Sequence, residues 1–337
     1  MNRFRTSTTG RCRPDAGASD EFDAVISFVL KRIVVSVVLL WAVATFTFLL
    51  LQLMPGDPAA IILGGQGTPA QLAHVRTELG LNRPLFVQYG SWLGRVVHGD
   101  LGHSVISGQS VISILNQRAP VTVSLAVAGV LVSLVIGVVL GVLAAVRGGW
   151  VDRTVRLVTA AGVALPNFWL GALLVVIFSV WLRLLPAVGY ASFVSAPLSW
   201  VRDMVLPVAA IAAASVAGIA RQTRVSMLAA LQSEYVQTLR GVGLPMRSII
   251  YKHALRNASI PIVTIVGLLF VGLLGGAVLV EQVFALPGLG QETVQAIANH
   301  DIPVLQGLVI YTTLIVLVVN LMIDLAYAWL NPKVRYS

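Results

Sequence analysis

The sequence has 337 residues, of which 57% are hydrophobic and only 11% are charged, and its mean hydropathy is +0.87. Because soluble domains carry about 25% charged residues, a soluble fold would have to hide more apolar surface than one core of this length can hold. The composition favours an integral membrane protein and excludes disordered and collagen-like chains, and a single cysteine excludes an internal disulfide.

The N-terminal residues 1–25 are predicted to be a disordered tail, because they are polar, of mixed charge and rich in Gly, Ser, Thr and Arg up to position 24. Cys12 lies in this tail with no apolar run before it, so it is interpreted as a free thiol and not as a lipid-attachment site. The first transmembrane helix is predicted over 26–53. Its apolar run is too long for a signal-peptide core, and no small-residue cleavage site follows it.

Residues 54–120 are predicted to form an external, partly helical segment, with an amphipathic helix around Pro69–Gly80. Residues 121–335 are predicted to form a five-helix core, since a bilayer core needs about 20 apolar residues per helix. With the first helix, this makes an all-α polytopic membrane protein with six transmembrane helices. The six apolar stretches carry no Asp, Glu, Lys or Arg before Asp324 and run over roughly Ile33–Leu53, Val121–Val146, Leu157–Leu182, Met204–Ala220, Ile260–Val280 and Val304–Leu325.

Basic residues are distributed unevenly between the two sides of these spans. Of the 23 Lys and Arg residues, 17 fall before the first apolar stretch (including Lys31 and Arg32), in the loops 147–156 and 221–259, and at the C-terminus. Since Lys and Arg concentrate in cytoplasmic loops, both termini are predicted to be cytoplasmic. The net charge of +9 then reflects membrane orientation, and no nucleic-acid partner is expected.

The cytoplasmic loop 221–259 is longer than most structureless loops, which rarely exceed about 12–15 residues. Val225–Leu239 has apolar residues at helical spacing, two glycines ending at Gly243 can close that helix, and Pro245 can start a second helix that ends near Asn257. One interpretation is an amphipathic hairpin lying on the anionic inner leaflet. The other is a docking element for a soluble partner, which the paired glycines favour slightly because a surface-lying helix needs no fixed bend.

The spans offer no ionisable residue at mid-membrane, where carriers driven by protons or sodium keep carboxylates or histidines. Asp324 is interpreted as a helix-end or interhelical hydrogen-bonding residue in preference to a gate. The pairs Gly137/Gly141 and Gly272/Gly276 are interpreted mainly as sites of close packing within the chain. The sequence has no phosphate-binding glycine loop, no catalytic constellation and no metal-ligand spacing among its five histidines, so no enzymatic activity, metal or cofactor is predicted for this chain.

Short motifs in a fixed order extend over about residues 26–335. Through this ordered set the chain resembles the permease subunits of bacterial ABC importers, most of all the dipeptide, oligopeptide and nickel type. The motifs are Pro55-Gly56-Asp57-Pro58, Leu79-Gly80-Leu81 with Pro84 and Gln88-Tyr89, Gly99-Asp100-Leu101-Gly102, Pro166-Asn167-Phe168-Trp169, Arg221–Arg224 with Ser226-Met227-Leu228, the loop stretch 234–261, Pro287-Gly288-Leu289-Gly290, Asn320-Leu321 with Asp324, and Asn331-Pro332.

The resemblance implies a type I importer permease in the bacterial inner membrane that forms half of a translocation pathway. It implies as partners a second homologous permease, two ABC ATPases that bind ATP and Mg²⁺, and an extracytoplasmic substrate-binding protein. It also implies that loop 221–259 inserts a coupling helix into the ATPase. The coupling residues would be Glu234, Arg240, Gly243, Leu244, Ile249, Ile250, His253, Leu255 and Arg256, with an apolar tip formed by Leu244, Ile249, Ile250 and His253.

The loop departs from the family pattern E-A-A-x-x-x-G. Gly243 fills the last position, but Gln237, Thr238 and Leu239 occupy the first three, so the acidic residue is missing there. Glu234, three residues earlier, can supply an alternative acidic contact, and Arg240 and Arg256 can pair with acidic groups of the ATPase.

The turn-rich segment after the fifth span is expected to form an external gate or a contact with the binding protein, or only the loop through which the sixth span re-enters; it comprises Pro287, Gly288, Leu289 and Gly290. The expected substrates are di- and oligopeptides. A nickel, glutathione or other small-solute importer is the alternative within the family. A secondary carrier and a membrane scaffold are the less favoured classes.

Overall fold

The computed structural model describes residues 18–53, 59–60, 63, 67–78 and 80–330. Regular structure in these residues is helical apart from one antiparallel bridge between His103 and Ser110, so the all-α class is confirmed. The helices are α1 (Ala18–Gln52), α2 (Pro69–Glu78), α3 (Leu85–Val97), α4 (Val111–Arg147), α5 (Gly149–Ala164), α6 (Asn167–Trp181), α7 (Pro197–Leu231), α8 (Glu234–Gly241), α9 (Met246–Val283), α10 (Leu289–Ala298) and α11 (Ile302–Leu330). α6 and α9 contain the π-helical stretches Val175–Trp181 and Ile249–Ala254.

Five helices in the described part of the chain are long and apolar enough to cross a bilayer by themselves, namely α1, α4, α7, α9 and α11. The predicted span Leu157–Leu182 is not one straight helix, because α5 and α6 meet at an angle of 100°. Leu165 between them has an extended backbone, with φ −91° and ψ 128°. The ring of Pro166 disfavours the helical conformation in the residue before it. A sixth span exists only if the bent α5–α6 pair crosses as one unit.

Two predicted boundaries differ from the structure. α1 begins at Ala18, inside the stretch predicted as a disordered tail. α4 begins at Val111, inside the predicted external segment, and it contains Pro120, which helices in a membrane tolerate. Four predicted features fall on residues outside those described: Cys12, the turn Pro55–Pro58, Leu79, and Asn331-Pro332.

The core of the molecule is a close, parallel packing of α4 on α7. Gly129 of α4 faces Ile211 of α7, and further along both helices Gly141 faces Thr223, in the same order. A Cβ atom at Gly141 would lie 2.5 Å from Thr223 Cβ and 2.6 Å from the carbonyl oxygen of Ala220. The glycines therefore let the two backbones approach, as small residues do between membrane helices.

The two predicted glycine pairs have different environments. Gly137 lies against Ile219 of α7, as Gly141 lies against Thr223, so the interpretation of this pair as packing within the chain is confirmed. A Cβ at Gly272 would meet no heavy atom within 4 Å, and one at Gly276 would meet only the Asn167 side chain, at 3.3 Å. The second pair is therefore not a close helix contact in the described chain.

Replacing Gly141 with alanine is expected to destabilise the protein by about 1–3 kcal/mol, because the added methyl group must displace the backbone of α7. Gly272→Ala is the matched control: it adds the same group within a helix and meets no neighbour, so it should leave stability unchanged or raise it slightly. Thermal unfolding of the two variants in the same detergent compares them. Equal unfolding temperatures would contradict the close α4–α7 contact.

α1 lies at the periphery and packs mainly on α11 and α3. Phe48 stacks with Trp92 of α3 at a ring-centroid distance of 5.2 Å, and both are buried with Ile310 of α11. At the other end of α1, Arg32 Nη2 lies 2.9 Å from Asp324 Oδ1 of α11. The prediction that Asp324 makes an interhelical hydrogen bond is confirmed.

Candidate functional site

A helical hairpin occupies the region predicted as the cytoplasmic loop. α7 continues into it as far as Leu231, and α8 follows after a break at positions 232–233. The chain then reverses at Gly243, whose φ of 82° is a left-handed conformation that glycine adopts without a Cβ clash. α9 starts directly after Pro245. The glycine hinge and the second helix start are therefore confirmed.

Two other details of the predicted loop are wrong. The helix predicted over Val225–Leu239 is interrupted, because Ser233 has an extended backbone and directly precedes the first residue of α8. The second helix does not end near Asn257 but continues through Pro261 to Val283. Proline inside a membrane helix is tolerated when neighbouring groups satisfy the freed backbone atoms. The hairpin is therefore rigidly continuous with two apolar spans, α7 and α9.

One side of the hairpin is buried against α7. Val236 and Ile249 are fully buried, and Ile250 is only 6% exposed. Ile250 packs with Met227 and Ala230 of α7 in one apolar cluster. Ile249 and Ile250, which were predicted to belong to the apolar tip of the hairpin, are thus buried in this chain; their part in coupling stays a prediction.

The opposite side of the hairpin presents apolar side chains to the exterior. Val242, Met246 and Tyr251 are 76%, 43% and 65% exposed, and we call these three residues the outer hairpin surface. The sequence analysis missed them, although large apolar residues on both sides of a hinge are the available signal. Of the predicted coupling residues, Glu234, Arg240, Gly243 and Arg256 are exposed, and Leu244, His253 and Leu255 are half-buried.

A partly buried ion pair joins the base of the hairpin to α5. The guanidinium of Arg224 on α7 donates to both carboxylate oxygens of Asp152, with Nη2 at 2.8 Å from Oδ2 and Nε bonded to Oδ1. Arg156 lies 3.3 Å from the same carboxylate, which is only 8% exposed as a residue. A bidentate contact of this kind fixes the orientation of the two side chains as well as their distance. The contact therefore holds α7 against α5, the helix that leads to the bend at Pro166.

A second buried carboxylate, missed by the sequence analysis, lies at the opposite end of α9. Glu281 is fully buried. Its Oε1 accepts a hydrogen bond from Thr122 Oγ1 at 2.6 Å, and its Oε2 accepts one from the Gln291 amide at 3.0 Å. The Leu289 amide donates to the same Thr122 hydroxyl at 2.8 Å. Glu281 thus connects α4, α9 and the start of α10.

The turn-rich segment Pro287–Gly290 wraps around this carboxylate. A Cβ at Gly290 would lie 2.8 Å from Glu281 Oε2, and a Cβ at Gly288 would collide with the same carboxyl group. Leu289 is 2% exposed, and both glycines are buried. Gly288, Leu289 and Gly290 thus pack inside the chain, and Pro287 is half-buried; a role of this segment in gating or in contact with a binding protein stays a prediction.

The region thus combines an exposed apolar surface on the hairpin with two polar links between helices, at Asp152–Arg224 and at Glu281. No group of three or more His, Cys, Asp or Glu side chains among the described residues is placed to hold a metal ion.

Two family models match the chain. One describes the inner membrane component of binding-protein-dependent transport systems and matches residues 137–336; the other describes the N-terminal part of such membrane components and matches residues 25–126. The chain belongs to this family. The recognition of an ABC importer permease is thereby confirmed, and the protein is a multi-pass protein of the inner membrane. Membership implies an ATPase and a binding protein as partners of this transport subunit.

Relatives match the permease over nearly its whole length. A protein of Brucella abortus (strain 2308), named as a peptide transport system permease, is 40% identical over 92% of this chain and 99% of its own. A peptide ABC transporter permease of Sinorhizobium fredii is 40% identical, with the same shares covered. The glutathione transport system permease of Escherichia coli (strain K12) is 36% identical over 93% of this chain and 100% of its own.

A solved chain of the MetNI methionine ABC transporter, in inward-facing conformations, has a similar fold. Its TM-score is 0.54 at 17% identity, covering 65% of this chain and 97% of that chain. Identity this low supports a common fold and carries no further conclusion.

Proposed function

We propose that the permease forms half of the translocation pathway of an ATP-driven importer of short peptides. The observation that carries the proposal is full-length similarity to the peptide transport permeases, at 40% identity over 92% of this chain and 99% of the Brucella protein. A second homologous permease would form the other half of the pathway. A binding protein would deliver the peptide outside, and two ATPases would bind ATP and Mg²⁺ inside.

In this proposal the bent α5–α6 pair crosses the membrane as one span, which makes six spans and places both termini on the same side. The excess of Lys and Arg at the termini and around the hairpin supports the cytoplasm as that side. The hairpin then projects toward the ATPases, and the segment around Glu281 lies at the external end of the spans.

Glutathione is the second candidate substrate, because the Escherichia coli glutathione permease is 36% identical over 93% of this chain. Glutathione is itself a small peptide, so the two candidates share a carboxylate-bearing, amide-containing chemistry. Nickel, another small solute, a secondary carrier and a scaffold are the remaining alternatives.

The test is uptake by proteoliposomes that contain the full importer, with the binding protein outside and ATP inside. Labelled di- and tripeptides should accumulate only with ATP present, and unlabelled peptides should compete better than nickel. Glutathione as the sole effective competitor would select the second candidate. Uptake driven by an ion gradient without ATP would overturn the importer proposal in favour of a carrier.

The hairpin is proposed to dock on the ATPase through its outer surface. Val242→Asp combined with Met246→Asp places two charges in an apolar contact and should abolish co-purification of the ATPase, because an unpaired charge at a buried interface is strongly unfavourable. Ile106→Asp is the control, since Ile106 is 54% exposed in a loop outside the hairpin. Both proteins should keep the second permease in the complex. Normal ATPase recovery with the hairpin variant would contradict the docking surface.

A further inference from the structure

A polar cleft of about 390 Å³ lies between the end of α1, the helices α2 and α3, and the start of α11. The proposed function assigns no role to this cleft. Its polar lining includes Gln52, Arg95, His103, His300 and Gln306, and Trp92 contributes an aromatic wall. Pockets of this size hold small ligands when a few polar groups converge on a largely apolar lining.

Gln306 offers a side-chain amide to this cleft. The residue is only 7% exposed, and no hydrogen bond joins its side chain to another described residue. Its amide atoms are not among the enclosed polar atoms that lack a partner, so they remain accessible from the cleft. Neighbouring buried polar groups are bonded to each other: Ser104 Oγ donates to Asp301 Oδ2 at 2.5 Å, and the Val105 amide donates to Asp301 Oδ1 at 3.3 Å. The Gln306 amide is therefore available to hydrogen-bond a ligand that enters the cleft.

The charges around the cleft favour an anion. No ion pair joins the Arg95 guanidinium to any described residue, and the imidazoles of His103 and His300 lie on the same lining. The carboxylate on this lining, that of Glu78, lies 3.4 Å from His74 Nε2. Arginine and imidazole donors together with an amide N–H₂ match the oxygens of a phosphate.

The cleft lies where the apolar spans end. Gln52 is the last residue of the apolar span of α1, and Gln306 lies in the second turn of the span that begins at Ile302. Phe48, Tyr89 and Trp92 cluster beside it with ring centroids 5.2–6.1 Å apart, as aromatic residues do at membrane interfaces. Phospholipid phosphates occupy this depth of a bilayer.

We propose that this cleft binds the phosphodiester headgroup of a membrane phospholipid. The phosphate oxygens accept hydrogen bonds from Arg95 and from the Gln306 amide. The acyl chains lie along exposed apolar side chains at the end of α1, where Leu49 is 48% exposed and Leu53, the residue after the helix, is 79% exposed. Free phosphate shares the headgroup chemistry but lacks the chains, so the two sources are separable by experiment. The proposal does not depend on which solute the importer carries.

The test uses the full-length permease complex, purified in detergent and stripped of lipid. Its unfolding temperature and its bound mass by native mass spectrometry are measured with phosphatidylglycerol, with diacylglycerol, which lacks the phosphate, and with inorganic phosphate. Phosphatidylglycerol should bind and stabilise the complex, and diacylglycerol should do neither. Arg95→Gln should weaken phosphatidylglycerol binding about tenfold, the loss expected for one charge-assisted hydrogen bond. Arg83→Gln, at an exposed site outside the cleft lining, should not weaken it.

Gln306→Leu separates ligand binding from a structural role. It removes an amide that lines the cleft and has no hydrogen bond to another described residue, so the lipid-free variant should unfold at the same temperature as the natural protein or higher, while the stabilisation by phosphatidylglycerol should be lost. A lower unfolding temperature without lipid would show that the amide is structural and overturn the proposal. Equal binding of phosphatidylglycerol by all variants, or stabilisation by inorganic phosphate alone, would also overturn it.

Discussion

Replacing Glu281 with alanine is expected to destabilise the permease by about 3–4 kcal/mol, the combined cost of a cavity and of buried donors left without an acceptor. The carboxylate is fully buried and accepts hydrogen bonds from Thr122 Oγ1 at 2.6 Å and from the Gln291 amide at 3.0 Å. In the alanine variant, the hydrogen bond that joins the start of α10, through the Gln291 amide, to α9 is absent. Thermal unfolding in detergent should show the loss, and substrate uptake should fall with it.

Two further substitutions make the Glu281 prediction specific. Glu281→Gln keeps the volume and one acceptor oxygen, so it should lose less stability than the alanine variant. Glu234→Ala removes an exposed carboxylate at the start of α8 and should change stability by no more than about 0.5 kcal/mol, as surface substitutions usually do. If the Glu281 and Glu234 variants unfold at the same temperature, the carboxylate does not join the three helices.

Apolar run length was sufficient to predict most of the membrane helices. Val121–Val146 lies within α4, and Met204–Ala220 lies within α7, although both helices extend further than the runs. The run over Leu157–Leu182 was misleading, because hydropathy does not distinguish a straight helix from two helices that meet at Pro166. The extended backbone of Leu165 separates α5 from α6. Pro166, which disfavours the helical conformation in the residue before it, is the feature of the sequence that indicates this break.

Local chemistry predicted the hinge but not the faces of the hairpin. Gly243 could be recognised because its left-handed turn depends on that residue alone. The burial of Ile249 and Ile250 depends on where α7 packs, and that contact joins residues distant in the sequence. Glu281 was missed for a similar reason. It directly follows the predicted run Ile260–Val280, and only the fold brings Thr122 of α4 beside it.

Separating Arg224 from Asp152 is expected to uncouple the hairpin from the rest of the permease while leaving the docking surface intact. These residues lie 72 positions apart in sequence, and their bidentate contact is an ion pair between α7 and α5. In the proposed importer the ATPase moves the hairpin, and α7 must pass that movement to the spans. Arg224→Gln should therefore retain the ATPase on purification and hydrolyse ATP, yet import at least about tenfold less substrate, the effect of losing one charged hydrogen bond of 1.5–3 kcal/mol from the coupled state.

The charge-swapped pair Asp152→Arg with Arg224→Asp distinguishes coupling from simple loss of stability. It restores opposite charges across the α5–α7 contact, so part of the import lost in each single variant should return, and a double-mutant cycle on the unfolding free energy should give an interaction of about 1.5–3 kcal/mol. Arg153→Gln, on the same helix as Asp152, is the control for charge alone. Unchanged import in Arg224→Gln, with the ATPase still bound, would mean that force reaches the spans without this ion pair. The close packing of α7 on α4 and the helix α9, which runs from the hairpin to Val283, would then be the routes to test.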